Sequence, residues 1–244
     1  KSPIKSTYLI RQANFVACHN PSYVDKYNMV QELVDGGTFL LNCSWDMEGL
    51  EEHLPGQVKS YIANHNIKFY TIDGIKIGKE IGLGGRINTV LQSAFFKLAA
   101  IIPEEEAIDL MKAAAKATYG RKGDKIVQMN YDAIDAGAKQ VVEIAVPESW
   151  KDAADEGLTT PHVGEGGRAD VVDFVKNIQA KVNAQEGNTL PVSAFNEYVD
   201  GSTPSGSSAY EKRGIAVKVP VWNVDNCIQC NFCSYVCPHA VIRP

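Results

Sequence analysis

The chain has 244 residues, of which 45% are hydrophobic and 22% charged, and this balance excludes a disordered, collagen-like or coiled-coil protein. A chain of this length is expected to fold into one or two domains. Its net charge of −5, without a long run of Lys or Arg, lacks the electrostatic footprint of a protein that binds nucleic acid or an anionic membrane.

Strand-like and helix-like segments alternate over the first 150 residues. Helical periodicity after the first strand predicts a helix that Ser22 caps and Gly36-Gly37 ends. A polar helical stretch, interrupted at Pro55-Gly56, precedes the third strand. The three predicted strands are short apolar runs at residues 15–18, 38–42 and 68–73. This alternation favours an α/β fold, a parallel sheet with crossover helices of Rossmann-like type.

Amphipathic helices are predicted beyond the third strand. Apolar residues recur at helical spacing over 89–102, 103–120 and 124–146. The Gly, Pro and charged residues between Pro147 and Arg168 then predict a linker. After it, Asp170 is expected to cap a short helix with Val171, Val175, Ile178 and Val182 on its inner face.

Four of the six cysteines form the run C-x2-C-x2-C-x3-C-P between Cys227 and Pro238. Bacterial-type ferredoxins hold [4Fe–4S] clusters with this run. A cubane presents its irons at the corners of a tetrahedron, so three thiolates a few residues apart can wrap one face. Zinc ribbons prefer two separated C-x2-C pairs, which this run does not contain. The predicted cluster ligands are Cys227, Cys230, Cys233 and Cys237.

The fourth cysteine of such a run ligates the other cluster in a two-cluster ferredoxin. Each cluster would lack ligands here, because the chain has no second cysteine run. We therefore expect the chain to be a fragment that ends inside a ferredoxin module. Cys18 and Cys43 fall in the predicted strands and are expected to be buried free thiols.

The cellular compartment is predicted from two sequence features that the chain lacks, a membrane span and a signal sequence. No stretch approaches the ~20 apolar residues of a membrane span, and no apolar signal core follows the first residues. We expect a cytoplasmic protein, in which a dense cysteine cluster indicates metal ligation rather than disulfides.

The cysteine run is accompanied by other distinctive stretches. In chain order these are KSTYLI from residue 5, VACHNP from 16, EIGLGGRIN from 80, SAFFKL from 93, YGRKG from 119, LPVSAF from 190 and EKRG from 211. Together they resemble the pyruvate:ferredoxin (flavodoxin) oxidoreductase family, in family order and over nearly the whole chain.

The resemblance implies an internal fragment of such an enzyme. It would comprise a gamma-type domain (1–150), a linker with a small connecting domain (151–209) and half of a bacterial-type 2[4Fe–4S] ferredoxin α+β module (210–244). The implied reaction is the oxidative decarboxylation of pyruvate with coenzyme A to acetyl-CoA and CO2. Thiamine diphosphate with Mg would carry the carbon chemistry, and the clusters would pass electrons to ferredoxin or flavodoxin. The full-length enzyme, with its remaining domains, would be a homodimer.

Site residues are implied with one clear departure from the family. The thiamine diphosphate motif, G-D-G followed by paired Asn, is missing, and 35–37 is the nearest approach. We therefore expect that cofactor outside this chain, no catalytic residue within it and no decarboxylation by the fragment alone. The gamma-type domain is associated with coenzyme A, whose phosphates would suit Arg86 and the helix N–H groups near Asn88. Asn130 is a further candidate, whereas 82–85 is expected to be a helix cap.

Two alternatives stay open on the sequence. One is a related 2-oxoacid:acceptor oxidoreductase, because substrate specificity would lie in thiamine domains outside this chain. The other is a stand-alone ferredoxin-type electron-transfer module without chemistry of its own.

Overall fold

A computed structural model describes residues 3, 10–154, 167–211 and 219–242. The chain divides into two compact units, Lys1–Arg213 and Gly214–Pro244. The domain boundaries at 150/151 and 209/210 stay predictions. Parts of the sequence predictions, at 5–9, 155–166 and 212–214, lie outside the described residues.

A four-stranded sheet forms the centre of the first unit. Its order is β1 (Ala13–Cys18), β2 (Leu33–Asn42), β3 (Lys68–Ile72) and β4 (Val142–Glu143). β1, β2 and β3 run parallel, which confirms the predicted core of the sheet. β4 pairs antiparallel with β3, so the sheet is mixed and the expectation of a purely parallel sheet is wrong at this edge.

β4 occupies residues that we predicted as the last turns of a helix. That helix ends at Lys139, and the segment VVEIAV from Val141 follows it. The spacing of its apolar residues also fits a helix, but β-branched side chains favour a strand. The Ile144 N–H donates to the Phe69 carbonyl at 2.9 Å, so pairing with β3 decides the conformation.

Helices cover both faces of the sheet. Their bounds are α1 (Met47–His53), α2 (Gly56–Asn64), α3 (Gly74–Ile81), α4 (Asn88–Ala99), α5 (Glu104–Tyr119) and α6 (Asp124–Lys139). Side chains alternate between the faces of a strand. Phe39 and Leu41 of β2 are therefore buried against α1 and α2, whereas Leu40 is buried against α3, α4 and α6.

The predicted helix between β1 and β2 does not form. A 3-10 turn at Pro21–Tyr23 and irregular turns take its place. Asn20 rather than Ser22 caps this turn, since its side chain accepts the Ser22 N–H at 3.1 Å. Val24 and Val30 are buried as the periodicity required. The segment is rich in Ser, Tyr, Asn, Asp and Val, whose low helix propensity lets turns satisfy the same burial.

β2 begins five residues before the predicted strand and includes the Gly36-Gly37 pair that was expected to end a helix. The register with β1 jumps at this point. Gly36 has a φ of +73°, a conformation that side chains disfavour. Its N–H donates to the His65 carbonyl at 2.8 Å, which anchors the irregular part of the strand.

α4 and α6 lie unusually close. A Cβ on Gly137 of α6 would stand 2.2 Å from the Val90 carbonyl oxygen of α4. Three side chains of α4, one turn apart, also donate to α6: Thr89 to Asn130 Oδ1 (3.3 Å), Ser93 to the Ile134 carbonyl (2.6 Å) and Lys97 to the Ala138 carbonyl (2.6 Å). The close approach therefore fixes the position of α4.

The predicted linker begins with a packed segment. Glu148–Asp152 forms a 3-10 turn, and Trp150 within it is 1% exposed. Its indole N–H donates to the Glu51 carboxylate at 2.6 Å, against the α1–α2 side of the core. The linker prediction is therefore wrong for residues 148–152.

The later helical run is α7 (Ala169–Phe174), a π turn (Val175–Gln179) and α8 (Ala180–Asn183). Asp170 lies in its first turn and does not cap it. The π turn contains one more residue than an α turn, so the residues after it point in other directions than regular α-helical spacing predicts. Phe174 is buried, while Val182, predicted as internal, is 45% exposed. Within the described ranges, no helix is both long and apolar enough to cross a bilayer.

Candidate functional site

The cysteine run lies in the second unit, of which residues 219–242 are described. Cys227 follows a 3-10 turn at Val224–Asn226 that the Asn223 side chain caps. Cys233 lies in α9 (Phe232–Val236), and Cys237 directly follows that helix. All four cysteines are unbridged, with three exposed and Cys237 partly buried.

Two left-handed residues bend the backbone on either side of Cys230. Gln229 and Asn231 both have a φ of +57°. Such reversals turn successive backbone N–H groups towards one side of a loop. The Gln229 N–H donates to the Cys227 sulfur over 3.4 Å. Hydrogen bonds to sulfur are one means by which proteins tune iron–sulfur sites.

The Cys237 sulfur has its own set of backbone donors. The N–H groups of Ile242, Val241 and His239 hold the pKa of this thiol below its ordinary value. Hydrogen bonds to the charged form of a group favour that form. These backbone donors therefore stabilise the thiolate of Cys237, and the thiolate rather than the thiol is the form that binds metals.

The four sulfurs do not close on a single point. Among the described residues, no three His, Cys, Asp or Glu side chains lie close enough to share one metal ion. A cubane spreads its irons over tetrahedron corners and so takes thiolates that stand further apart. The donor set, four accessible thiols with backbone N–H groups on two sulfurs, fits such a cluster.

The other two cysteines are buried, as predicted. Cys18 ends β1, and Cys43 follows β2 directly. Burial raises the pKa of Cys18 to about 12 and that of Cys43 to about 11. Since the thiolate is the nucleophile, both side chains are inert at neutral pH.

Alkylation should separate the two groups of cysteines. Iodoacetamide at pH 8 is expected to modify the thiols of 227–237 in the native, metal-free protein, and Cys18 and Cys43 only after denaturation. Peptide mass spectrometry reads out both. Native labelling of Cys18 at pH 8 would contradict its placement.

The raised pKa of Cys18 also predicts lower stability at high pH. Because the folded state keeps a proton that the unfolded state loses above pH 9.0, the free energy of unfolding should fall as the pH rises from 9.0 towards about 12.

A groove of about 480 Å³ lies between His19, which directly follows β1, and the first turns of α4. Its size is typical of small-molecule and cofactor sites. Its lining combines one cation, three other polar side chains and an apolar wall: His19, Gly85, Arg86, Ile87, Asn88, Leu91, Gln92 and Phe95. The structure therefore brings Arg86 and Asn88, which were singled out from the sequence, to the same groove.

The Gly-rich segment before Arg86 closes α3, as expected for a helix cap. Gly82 has a φ of +91° and Gly84 a φ of +62°. A Cβ on Gly78 would lie 2.6 Å from the Gly84 carbonyl oxygen, so the chain returns tightly over α3. Asn88 then begins α4, whose first N–H groups receive no side-chain cap from Ile87. Uncapped N–H groups at a helix start attract anions.

The structure also shows where Asn130, Asp35 and His19 lie relative to the groove and the sequence predictions. Asn130 does not line the groove, because its buried amide donates to the Ile126 carbonyl and accepts from Thr89 between α6 and α4. Asp35, in the segment nearest to a thiamine motif, bonds His65 at 2.6 Å. Sequence reasoning missed His19. Its place directly after a strand is the signal that could have found it.

Protein-family models cover most of the chain. The model described as pyruvate ferredoxin/flavodoxin oxidoreductase matches residues 1–140. A domain of unknown function, EKR, matches 165–216, and a 4Fe-4S binding domain matches 219–242.

Curated relatives match over the same length. Identity is 49% over 243 residues with the pyruvate-flavodoxin oxidoreductase of Enterobacter agglomerans, and 49% over 244 residues with the pyruvate:ferredoxin oxidoreductase of Moorella thermoacetica. Each alignment covers 100% of this chain and 20% of the relative. The pyruvate dehydrogenase [NADP(+)] of Cryptosporidium parvum is 43% identical over 99% of this chain and 13% of its own length. The chain thus spans about a fifth or less of these relatives.

Proposed function

We propose, from the premise that this chain belongs to the pyruvate ferredoxin/flavodoxin oxidoreductase family, that it carries electrons within an enzyme that oxidises pyruvate. The reaction would convert pyruvate and coenzyme A to acetyl-CoA and CO2, with ferredoxin or flavodoxin as the acceptor. The observation that carries the proposal is the match of a 4Fe-4S binding domain to 219–242, the residues whose cysteine spacing predicts cluster ligation.

The cysteines divide between two clusters in this proposal. Cys227, Cys230 and Cys233 hold one cluster, and Cys237 contributes to a second. The bound clusters supply one-electron transfer. The chain itself supplies thiolates and backbone N–H groups, and those donors stabilise the negative charge that accumulates on sulfur.

We assign the groove to coenzyme A. Its lining residues include Arg86 and no carboxylate, and the uncapped start of α4 adds N–H donors. Phosphates suit this combination. Ile87, Leu91 and Phe95 offer the apolar side that an adenine ring or a pantetheine arm requires.

Replacing Arg86 by alanine should weaken coenzyme A binding about 10- to 100-fold. The basis is the loss of a charge-assisted hydrogen bond, worth roughly 1.5–3 kcal/mol. Isothermal titration of the full-length protein measures the dissociation constant, and R86K should retain part of the affinity. Arg121→Ala is the matched control, because Arg121 is exposed and lies outside the groove. An unchanged affinity in R86A would remove the groove from the proposal.

We infer the remaining parts of the enzyme from its family membership. We place thiamine diphosphate and Mg outside this chain, in a cytoplasmic homodimer. Pyruvate- and coenzyme A-dependent reduction of ferredoxin by the full-length protein tests the proposed reaction. Preference for another 2-oxoacid would favour the related oxidoreductases. Electron transfer without any 2-oxoacid oxidation would favour a stand-alone carrier, which the match to long relatives over the whole chain makes the weaker alternative.

A further inference from the structure

Asn42 is a polar side chain buried at the end of β2. It is 4% exposed. A buried amide is unfavourable unless its donor and its acceptor are both satisfied. Asn42 Nδ2 donates to the His19 carbonyl at 2.8 Å, and Oδ1 accepts the Gly74 N–H at 2.9 Å. One amide therefore joins two loops that are far apart in the chain.

The parallel sheet explains why these loops meet at Asn42. β1, β2 and β3 run in the same direction, so their carboxyl ends lie at one edge of the sheet. His19 directly follows β1, and Gly74 begins α3 just after β3. The Asn42 amide lies between them and ties the outer two strand ends across the central one.

Both tied loops reach the groove. His19 lines it directly. Gly74 packs against the wall that α4 forms, because a Cβ on it would lie 3.5 Å from Ile87 Cβ and 3.6 Å from Leu91 Cδ2. Both of these side chains line the groove. The same Cβ would stand 3.0 Å from Asn42 Oδ1, so the amide packs closely against Gly74 on this side of the groove.

We propose that Asn42 is a positioning residue for the groove. Its amide sets the distance between the His19 wall and the wall that α4 forms, and thereby the affinity for the phosphate-bearing cofactor. This inference rests on the proposed binding of coenzyme A. An amide suits the role because it presents one donor and one acceptor in a single rigid plane.

Asn42→Asp separates the two bonds with almost no change in shape. The carboxylate still accepts the Gly74 N–H, but it cannot donate to the His19 carbonyl and repels that oxygen. The His19 wall should therefore move. Because small displacements of binding groups are costly, we expect the affinity for coenzyme A to fall about 10- to 100-fold.

The test uses the full-length protein with coenzyme A as the probe. Isothermal titration should give the weaker dissociation constant for N42D. Steady-state kinetics should show a raised KM for coenzyme A, with KM for pyruvate, kcat at saturating coenzyme A and iron content unchanged. A purely structural role for Asn42 would instead lower folded protein and all activities together.

Asn130→Asp is the matched control. Asn130 is as buried as Asn42, and its substitution by Asp also removes a hydrogen bond to a backbone carbonyl, that of Ile126. Asn130 does not line the groove. It should leave the affinity unchanged. If N42D does not fold, Gly74→Ala replaces it, since the added Cβ presses on Asn42 Oδ1 and should weaken binding several-fold.

The outcomes separate the two proposals. Wild-type protein that does not bind coenzyme A would overturn both the cofactor assignment and this inference. Wild-type binding with unchanged affinity in N42D, or in G74A where N42D does not fold, would overturn only the positioning role. Equal losses in N42D and N130D would also overturn it, because the effect would then be general destabilisation.

Discussion

Cys230→Ala is expected to remove about four irons and four sulfides from the full-length protein, because [4Fe–4S] clusters need their thiolate ligands. One cluster should disappear while the other, to which we propose that Cys237 contributes, is retained. Pyruvate-dependent reduction of ferredoxin should fall by more than about 100-fold. Mutating residues that only hydrogen-bond the ligands of a metal site already lowers affinity or activity about 10- to 100-fold, and loss of a ligand should have a larger effect. Anaerobic iron and sulfide analysis with EPR measures the first effect, and turnover measures the second.

The companion variants make this result specific. Cys237→Ala should remove a similar amount of iron but a different EPR signal. Cys18→Ala is the control, because this buried cysteine lies in the other compact unit and should leave both signals intact. Full iron content in C230A would contradict the ligand assignment. Loss of one and the same signal in C230A and C237A would show that the four cysteines close on one cluster.

Gly137→Ala should lower the free energy of unfolding by about 1–3 kcal/mol, the usual effect of overpacking. Helix propensity alone predicts the opposite, because alanine stabilises a helix interior by about 1 kcal/mol relative to glycine. Packing should prevail here, since the new Cβ meets the Val90 carbonyl oxygen at 2.2 Å and Ser93 Cβ at 3.0 Å. The helices can separate only by stretching their interhelical hydrogen bonds, such as the one from Ser93 to the Ile134 carbonyl.

Urea unfolding measures this change, with Gly120→Ala as the control. Gly120 has a φ of −54°, which alanine accepts, and nothing lies within 4 Å of a Cβ built on it. This control should be as stable as the wild type or gain up to about 1 kcal/mol. Equal stabilities of G137A and G120A would contradict the close approach of α4 and α6.

The parts of the fold that were predicted correctly depend on local pattern. Each of the three parallel strands contains a short apolar run that identified it, but the start of β2 was missed because the helical pattern predicted up to Gly36-Gly37 overlaps it. The errors arise where two structures share one pattern: Val141 fits both a helix and a strand, and only pairing with β3 decides between them. Asp73 was predicted as the end of a strand, but its side chain accepts the Lys76 N–H at 2.9 Å and caps α3. The π turn that exposes Val182 has no sequence signal.

The candidate site divides in the same way. The cysteine run could be predicted because ligand type and spacing both lie in adjacent residues, and Arg86 and Asn88 are near neighbours at the start of one helix. The amide of Asn42 bonds residues 23 and 32 positions away in the chain. Contacts of that range depend on the order of the strands, so a single sequence contains no sign of them.

The metal and sulfide content of the anaerobically purified full-length protein tests the central claim most directly. We expect iron and acid-labile sulfide in equal amounts, in multiples of about four, with the EPR signal of a [4Fe–4S] cluster after reduction. Zinc bound at Cys227, Cys230, Cys233 and Cys237, or a disulfide between any two of them, would contradict the account.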